Sequence, residues 1–229
     1  LVLVQQLFGL NNPEELLAFD VAIHFGTLLA VLFVFRKEIM EMVRRPFTRL
    51  VLLLILATLP AVVVGFSFKE TIETLFVSPR VAAFGLLFTG LVLWGTQWTV
   101  NRKGISPYPP GPVGAFLVGL AQAVAILPGV SRSGSTIAAG LYCRWDRNFA
   151  ARFSFLMSVP AILGAVVLQG AEIGGLSMIS WKPVLAGTAA AAVTGFLAIR
   201  WLLRIIASAK FHYFAYYCWG GGFLALLVT

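Results

Sequence analysis

Long runs without a charged side chain limit what this sequence can fold into. Five runs of 17 to 21 residues contain no Asp, Glu, Lys or Arg: 50–68, 81–101, 153–171, 183–199 and 211–229. A sixth run, residues 16–35, is interrupted only by Asp20 and His24. Because about 20 apolar residues carry one helix across a bilayer, the runs predict an all-α polytopic membrane protein.

The composition excludes other classes of protein. Apolar residues make up 59% of the chain and charged residues 11%, with a mean hydropathy of +0.92. Soluble chains average about 45–50% apolar and about 25% charged residues. The net charge of +8 does not indicate nucleic-acid binding, because the basic residues lie between the apolar runs. In a membrane protein they set orientation and contact anionic membrane lipids. Cys143 and Cys218 stand in apolar surroundings and are predicted to be core thiols.

Residues 113–143 have the pattern of a re-entrant hairpin. Segments 113–128 and 133–143 are each too short for a full crossing, and Pro128, Gly129 and Arg132 interrupt the sequence between them. Irregular backbone at membrane depth is tolerated only where protein or a water-filled cavity satisfies its polar groups. The pattern therefore predicts two half-helices that enter and leave by the same membrane face.

The basic residues test this prediction. With a re-entrant hairpin, one membrane side receives thirteen of them: Arg36, Lys37, Arg44, Arg45, Arg49, Arg102, Lys103, Arg144, Arg147, Arg152, Arg200, Arg204 and Lys210. The other side receives Lys69, Arg80 and Lys182. Because Lys and Arg accumulate in cytoplasmic loops, the count favours the hairpin over a full crossing.

A weak internal repeat is also present. Residues 58–66 match residues 188–196, with Thr, Gly and Phe at equivalent positions, and the two segments are predicted to cross in opposite directions. This pattern indicates an inverted-topology repeat within a single membrane domain, residues 1–229. Repeat 1 covers about 1–100 and repeat 2 about 113–229. Repeat 1 has its three predicted spans, 16–35, 50–66 and 81–99, but only an apparent outgoing arm of a hairpin before them, Leu1–Leu10. The first hairpin is therefore expected to be missing from this chain.

The segment Pro128–Thr136, PGVSRSGST, is the strongest functional signal. An Arg within a hairpin is costly to bury, and the planar fork of Arg132 suits phosphate oxygens. Gly129 and Gly134 allow the backbone to approach a ligand closely. Four hydroxyl groups surround Arg132, those of Ser131, Ser133, Ser135 and Thr136. Together with the N-terminus of the second half-helix, they predict a polyanion site; a Ser-rich helix cap beside a snorkelling Arg is the structural alternative.

Two further residues are candidates to contact the ligand. Gln122 precedes Arg132 by ten residues on the first half-helix, where it could hydrogen-bond the loop or the ligand. His24 lies inside an apolar run, where it either lines the site or is a packed, hydrogen-bonded side chain. The segment is not a P-loop, because no Gly-Lys-Ser or Gly-Lys-Thr follows. The acid-phosphatase-like lipid phosphatases are also excluded, because the chain has no Pro-Ser-Gly-His.

PGVSRSGST resembles the PGxSRSGxT signature of the undecaprenyl pyrophosphate phosphatases, the bacitracin-resistance family. Similarity extends to Phe19–Val31, to Gln122 and to Phe153–Pro160, and covers essentially the whole chain. It implies hydrolysis of undecaprenyl pyrophosphate to the monophosphate at the outer face of the bacterial plasma membrane, recycling the cell-wall lipid carrier. Arg132 would clamp the phosphates, and Ser131, Ser133, Ser135, Thr136, Gly129 and Gly134 would bind them or shape the loop.

The sequence departs from the family at one catalytic segment. A Glu-rich motif followed by Pro-x-Ser-Ser-x-Gly-His is absent. The resemblance implies that this segment supplies the nucleophile or base and holds a divalent cation, Mg or Ca; residues 1–229 show no evident cofactor site. The 229-residue chain alone is therefore expected to be inactive. The expected partners are a polyisoprenyl pyrophosphate and membrane lipids, with a homodimer left open. The alternative function is a carrier of a phosphorylated lipid or small anion.

Overall fold

The computed structural model describes residues 13–99, 110–172 and 181–228, and they are helical apart from short turns and loops. They form these α-helices: α1 (Pro13–Val34), α2 (Arg36–Arg44), α3 (Arg49–Ser67), α4 (Lys69–Phe76), α5 (Pro79–Gly95), α6 (Pro112–Val124), α7 (Arg132–Tyr142), α8 (Arg147–Glu172), α9 (Trp181–Ala207) and α10 (Phe214–Val228). Short 3₁₀ helices cover Thr96–Thr99 and Phe211–Tyr213. The prediction of an all-α chain is confirmed.

Three helical segments in this part of the chain are long and apolar enough to cross a membrane: Arg49–Ser67, Pro79–Thr99 and Val184–Ala207. They correspond to the predicted spans 50–68, 81–101 and 183–199. The other three predicted spans, 16–35, 153–171 and 211–229, overlap with α1, α8 and α10. The chain is therefore a polytopic membrane protein built from helices.

The helices begin where the sequence provides a start signal. The hydroxyl of Thr48 accepts a hydrogen bond from the N–H of Val51, 3.4 Å away, at the start of α3. Pro79 and Pro112 occupy the first turns of α5 and α6, where proline is favoured because the N–H it lacks has no partner within the helix. Ser131 caps α7 with its side chain. These signals set where four helices of the structure begin, among them the helices α5, α6 and α7 that carry the candidate site.

The described residues form two compact units. One, called the hairpin unit, comprises residues 47–99, 110–154 and 205–228. The second unit comprises residues 13–46, 155–172 and 181–204. The predicted division into repeats of about 1–100 and 113–229 stays a prediction. Leu1–Leu10, Arg102 and Lys103 lie outside the described residues.

In the hairpin unit, α6 and α7 form the two arms predicted for residues 113–128 and 133–143. Gly119 of α6 lies against the backbone of Ala57 in α3, and Ile126 beyond α6 lies near Gly65, so α6 runs parallel to α3. Residues 128–131, called the tip loop, connect to α7. Because only seven residues join the two helices, α6 and α7 run in opposite directions.

The second arm runs parallel to α5. The tip loop contacts Ala82 and Gly85 in the first half of α5. At the other end of α7, the hydroxyl of Tyr142 donates a hydrogen bond to the carbonyl of Val92, 2.6 Å away. Since a helix rises 1.5 Å per residue, the tip loop lies roughly 20 Å from the end of α5 at which α7 finishes. This is the geometry of a hairpin that opens at one end of the bundle and has its tip near the other.

Helix α10 packs along the same helix α5 in the opposite direction. The indole N–H of Trp219 donates to the carbonyl of Leu87 over 3.3 Å, and Gly222 lies against Leu87 and the Ala83 carbonyl. Helix α5 is therefore enclosed by α7 and α10, and its residues Ala83, Gly85, Thr89 and Gly90 are buried. The small side chains on α5 permit this close packing.

In the second unit, α1 and α9 run parallel, because Gly187 lies against Phe19 and Gly195 lies against Ala30. Their rings Phe33 and Phe196 pack edge to face with centroids 5.6 Å apart. The guanidinium of Arg36 lies 5.1 Å from the centroid of Phe33, and that of Arg200 lies 5.3 Å from the centroid of Phe196. Arg36 and Arg200 thus lie at the same end of this helix pair, as the charge count requires.

Candidate functional site

The tip loop turns at a glycine in a left-handed conformation. Gly129 has a φ of +81°, a conformation that is costly for residues with a Cβ atom. A Cβ at this position would also collide with the carbonyl of Ala82 on α5. Gly85 of α5 lies equally close, because a Cβ there would collide with the carbonyl of Pro128. Two glycines therefore let the loop and α5 come into direct backbone contact.

Thr89 fixes the loop on both sides of this contact. Its side chain is fully buried on α5. Its hydroxyl oxygen accepts a hydrogen bond from the N–H of Ser131 over 3.0 Å. The hydroxyl proton is shared between the carbonyls of Gly85, 2.9 Å away, and Gly129, 3.3 Å away. One side chain thus holds the backbone on either side of Val130.

Ser131 organises the first turn of α7. Its hydroxyl oxygen accepts a hydrogen bond from the N–H of Gly134 over 3.1 Å, which makes it the N-cap. An N-cap side chain satisfies one of the N–H groups that a helix start leaves free. Within the described residues, the N–H groups of Arg132 and Ser133 have no hydrogen-bond partner. These two amides and the positive end of the helix dipole form an anion-binding environment.

Arg132 places a full positive charge at the same helix start. Its side chain is half-buried, and no described residue forms an ion pair or hydrogen bond with its guanidinium. The side chain of Ser133 is also half-buried and, in the same set of residues, unpaired. Residues 131–133 therefore present a guanidinium, two backbone N–H groups and a hydroxyl that are available to an anion.

Thr136 and Ser154 form a buried link behind the site. Their hydroxyl oxygens lie 2.6 Å apart, and the Thr136 hydroxyl also donates to the carbonyl of Arg132 over 2.8 Å. Because Thr136 uses its single proton for that carbonyl, Ser154 is the donor between the two hydroxyls. Thr136 is only 1% exposed and supports the first turn of α7 in this arrangement. Its contact with phosphate stays a prediction.

Two other predicted residues are buried in the hairpin. Gln122 on α6 is 2% exposed, and neither its amide nitrogen nor its amide oxygen has a hydrogen-bond partner among the described residues. The hydroxyl of Ser135 on α7 is buried and unpaired in the same sense. Such groups cost about 1–3 kcal/mol when left unsatisfied. This cost is more typical of a functional position than of simple packing.

Of the predicted site residues, the hairpin unit contains Gln122, Gly129, Ser131, Arg132, Ser133, Gly134, Ser135 and Thr136. His24 is half-buried on α1 in the second unit, and its contribution to the site stays a prediction. Thr89 and Ser154 are not among the predicted site residues. Ser154 stands in the segment 153–160 that carries the family resemblance, but nothing in the sequence near Thr89 indicates its bonds.

The described residues do not form a divalent-cation site. They contain no group of three or more His, Cys, Asp or Glu side chains that could hold a metal ion. The donors at the tip are positive or neutral, so they repel a cation and attract an anion. These residues alone do not fit a divalent cation. The resemblance assigns the cation to the Glu-rich segment that this sequence lacks, so the cation stays a prediction.

The fold and the site define a class of protein. It is a helical membrane protein whose hairpin tip offers a guanidinium, backbone amides and a hydroxyl to an anion. Oxyanions such as phosphate accept all three kinds of donor, and fixed donors of this kind stabilise negative charge that develops during phosphoryl transfer.

Comparison with known proteins agrees with this class. The family model described as bacitracin resistance protein BacA matches residues 1–224. A relative from Carboxydothermus hydrogenoformans named undecaprenyl-diphosphatase is 40% identical over 96% of this chain and 84% of its own length. Two more relatives are each 40% identical over 99% of this chain: an undecaprenyl-diphosphatase from Methanobrevibacter smithii and undecaprenyl-diphosphatase 4 from Bacillus thuringiensis subsp. konkukian. The matched regions cover 88% and 87% of the lengths of these two relatives. The chain belongs to the BacA bacitracin-resistance family, as its signature predicts.

Proposed function

We propose that this protein hydrolyses undecaprenyl diphosphate to undecaprenyl phosphate and inorganic phosphate, as the names of its relatives state for them. The observation that carries the proposal is the set of unpaired donors at the start of α7, centred on Arg132. The product is the lipid carrier of cell-wall synthesis, so hydrolysis recycles it. Resistance to bacitracin, for which the family is named, is consistent with a protein that acts on this carrier.

The residues of the tip have distinct roles in the proposed reaction. The guanidinium of Arg132 binds the diphosphate oxygens and stabilises the negative charge that accumulates as the bridging P–O bond breaks. The N–H groups of Arg132 and Ser133 and the Ser133 hydroxyl orient the phosphates. The proton of the Ser131 hydroxyl also remains for a phosphate oxygen, since its oxygen already serves as the helix cap. The prenyl tail stays in the lipid between helices.

We place the reaction at the outer face of the bacterial plasma membrane. The charge count assigns the thirteen-residue basic side to the cytoplasm, which is the end where α7 finishes. The tip loop contacts the first half of α5, so in this orientation it lies toward the outer face. A diphosphate lipid released outside would then meet the site without crossing the membrane.

Transport is the alternative use of an anion site between helices. The three relatives are named for hydrolysis and not for transport. An anion carrier must also release its ligand unchanged on the other side, whereas the donors at the tip suit a group whose negative charge increases during reaction. Hydrolysis therefore fits this arrangement of donors better than transport does.

One experiment distinguishes the two functions. The protein, as its gene encodes it, is purified in detergent and reconstituted into sealed vesicles that contain undecaprenyl diphosphate. Hydrolysis predicts phosphate release that depends on protein and on Arg132, in detergent as well as in vesicles. Movement of intact diphosphate lipid between leaflets without phosphate release would contradict the proposal. A Gly164→Ala variant is the matched control, because a Cβ at Gly164 meets open space.

A further inference from the structure

Helix α2 carries a basic face that the proposed reaction does not use. Its residues 36, 37, 40, 41 and 44 recur at intervals of one and three, so they share one side of a helix with 3.6 residues per turn. With the following Arg45 they line a shallow groove of about 610 Å³: Arg36, Lys37, Met40, Glu41, Arg44 and Arg45. The groove lies in the second unit.

The groove is strongly positive. Its lining contains four basic side chains against the single acid Glu41. Across the described residues, none of these four basic side chains forms an ion pair. Arg36 stacks on the face of Phe33, which leaves the edge of its guanidinium, with its N–H donors, for an anion. Arg36, Lys37, Arg44 and Arg45 are all exposed, so the groove is open to a ligand.

The surroundings of α2 indicate which anion this is. A single residue, Phe35, separates α2 from α1, and its buried ring stacks on Phe155 with centroids 5.6 Å apart. The bend therefore anchors α2 to the end of a predicted span. No residue of α2 is buried, and Met40 and Val43 are 52% and 71% exposed. Exposed apolar side chains beside a basic face are typical of a helix that lies in the membrane interface.

We propose that the groove on α2 binds the phosphate headgroup of an anionic phospholipid in the cytoplasmic leaflet. The basic residues contact the headgroup, while Val43, which is outside the groove lining, contacts the upper part of the acyl chains. The proposal does not rest on the hydrolysis of a diphosphate lipid, because it concerns other residues and a different ligand.

Titration of the detergent-purified protein with phospholipid, followed by native mass spectrometry, tests the proposal. Phosphatidylglycerol should bind at least about 10-fold more tightly than phosphatidylcholine with the same acyl chains. In the variant Arg36→Gln/Arg44→Gln/Arg45→Gln the affinity for phosphatidylglycerol should fall on the order of 100-fold. These side chains are exposed, so thermal unfolding should remain unchanged and phosphate release in detergent should persist.

A matched variant separates the groove from total charge. Arg144→Gln/Arg152→Gln/Arg204→Gln removes three exposed arginines assigned to the same membrane side and should keep the preference for phosphatidylglycerol. An equal loss in both variants, or equal binding of the two lipids by the parent protein, would overturn the proposal. The proposal would also be overturned if inorganic phosphate, at the same concentration as phosphatidylglycerol, displaced this lipid completely. The groove would then be a site for free phosphate.

Discussion

The hydroxyl of Thr89 accepts a hydrogen bond from the backbone N–H of Ser131 over 3.0 Å, across 42 residues of sequence. This bond attaches the residue immediately before Arg132 to the buried centre of α5. The start of α7, and with it the backbone position of Arg132, is therefore set by a helix from another part of the hairpin unit. Preorganisation of this kind is what makes fixed donors effective in catalysis.

Two substitutions at Thr89 distinguish the effect of its hydroxyl from the effect of its shape. Thr89→Val keeps the volume but leaves the Ser131 N–H unsatisfied, so we expect a loss of about 1–3 kcal/mol in stability and a lower kcat. Thr89→Ser keeps the hydroxyl and should restore most of the activity. Thermal unfolding and phosphate release are measured for both. Equal activity of the valine variant and the parent would show that the bond does not position the site.

Gly129→Ala should be poorly tolerated. The φ of +81° costs about 1–3 kcal/mol for a residue with a Cβ, and the collision with the Ala82 carbonyl adds to this. Gly164→Ala, where a Cβ meets open space on α8, should be neutral or stabilising. Denaturation midpoints of the two variants in detergent provide the comparison. A stable and active Gly129→Ala protein would contradict the tip geometry.

Gln122→Leu should affect stability and activity in opposite directions. Removing a buried amide without a protein partner among the described residues should stabilise the fold by about 1–3 kcal/mol. If the amide contacts the diphosphate, KM should rise by about 10-fold or more, the equivalent of about 1.4 kcal/mol. Ser135→Ala, at the second buried hydroxyl, is measured alongside. Unchanged KM and kcat in Gln122→Leu would reduce the residue to a packing role.

Thiol labelling tests whether residues 113–143 enter and leave by the same membrane face. In a background without Cys143 and Cys218, the exposed positions Phe47, Val77 and Asn148 are replaced singly by Cys. An impermeant reagent applied to intact cells should label Val77→Cys and leave the other two unlabelled until the cells are permeabilised. Labelling of Asn148→Cys with Phe47→Cys protected would mean that residues 113–143 cross the membrane completely.

The sequence predicts the helices well because the bilayer imposes a simple rule on composition. Charge-free runs mark the portion of a helix that lies in hydrocarbon, and the break at Pro128 and Gly129 marks the tip of the hairpin. The same rule does not locate helix ends in the interface. Helix α8 begins at Arg147 although its uncharged run begins at residue 153, because a helix continues beyond the hydrocarbon while its charges reach water.

The supporting contacts of the site could not be predicted in this way. Thr89 stands within an apolar run, and its partners lie about 40 residues further along the chain. No local pattern distinguishes it from a threonine that bonds only to its own helix, as Thr58 does. The link between Thr136 and Ser154 likewise depends on how α8 packs against α7. Such contacts are properties of the tertiary structure, whereas the nature of the anion site follows from the residues at the tip.

The most direct test of the anion clamp is the rate of phosphate release by Arg132→Lys, in the protein as its gene encodes it. Lysine keeps the charge but loses the planar fork that contacts two phosphate oxygens. With folding verified by thermal unfolding, and Arg152→Lys on the exposed face of α8 as the control, kcat should fall by about 100-fold or more. Retention of most of the parent activity by Arg132→Lys would contradict the clamp and leave Arg132 as a side chain that merely reaches toward water.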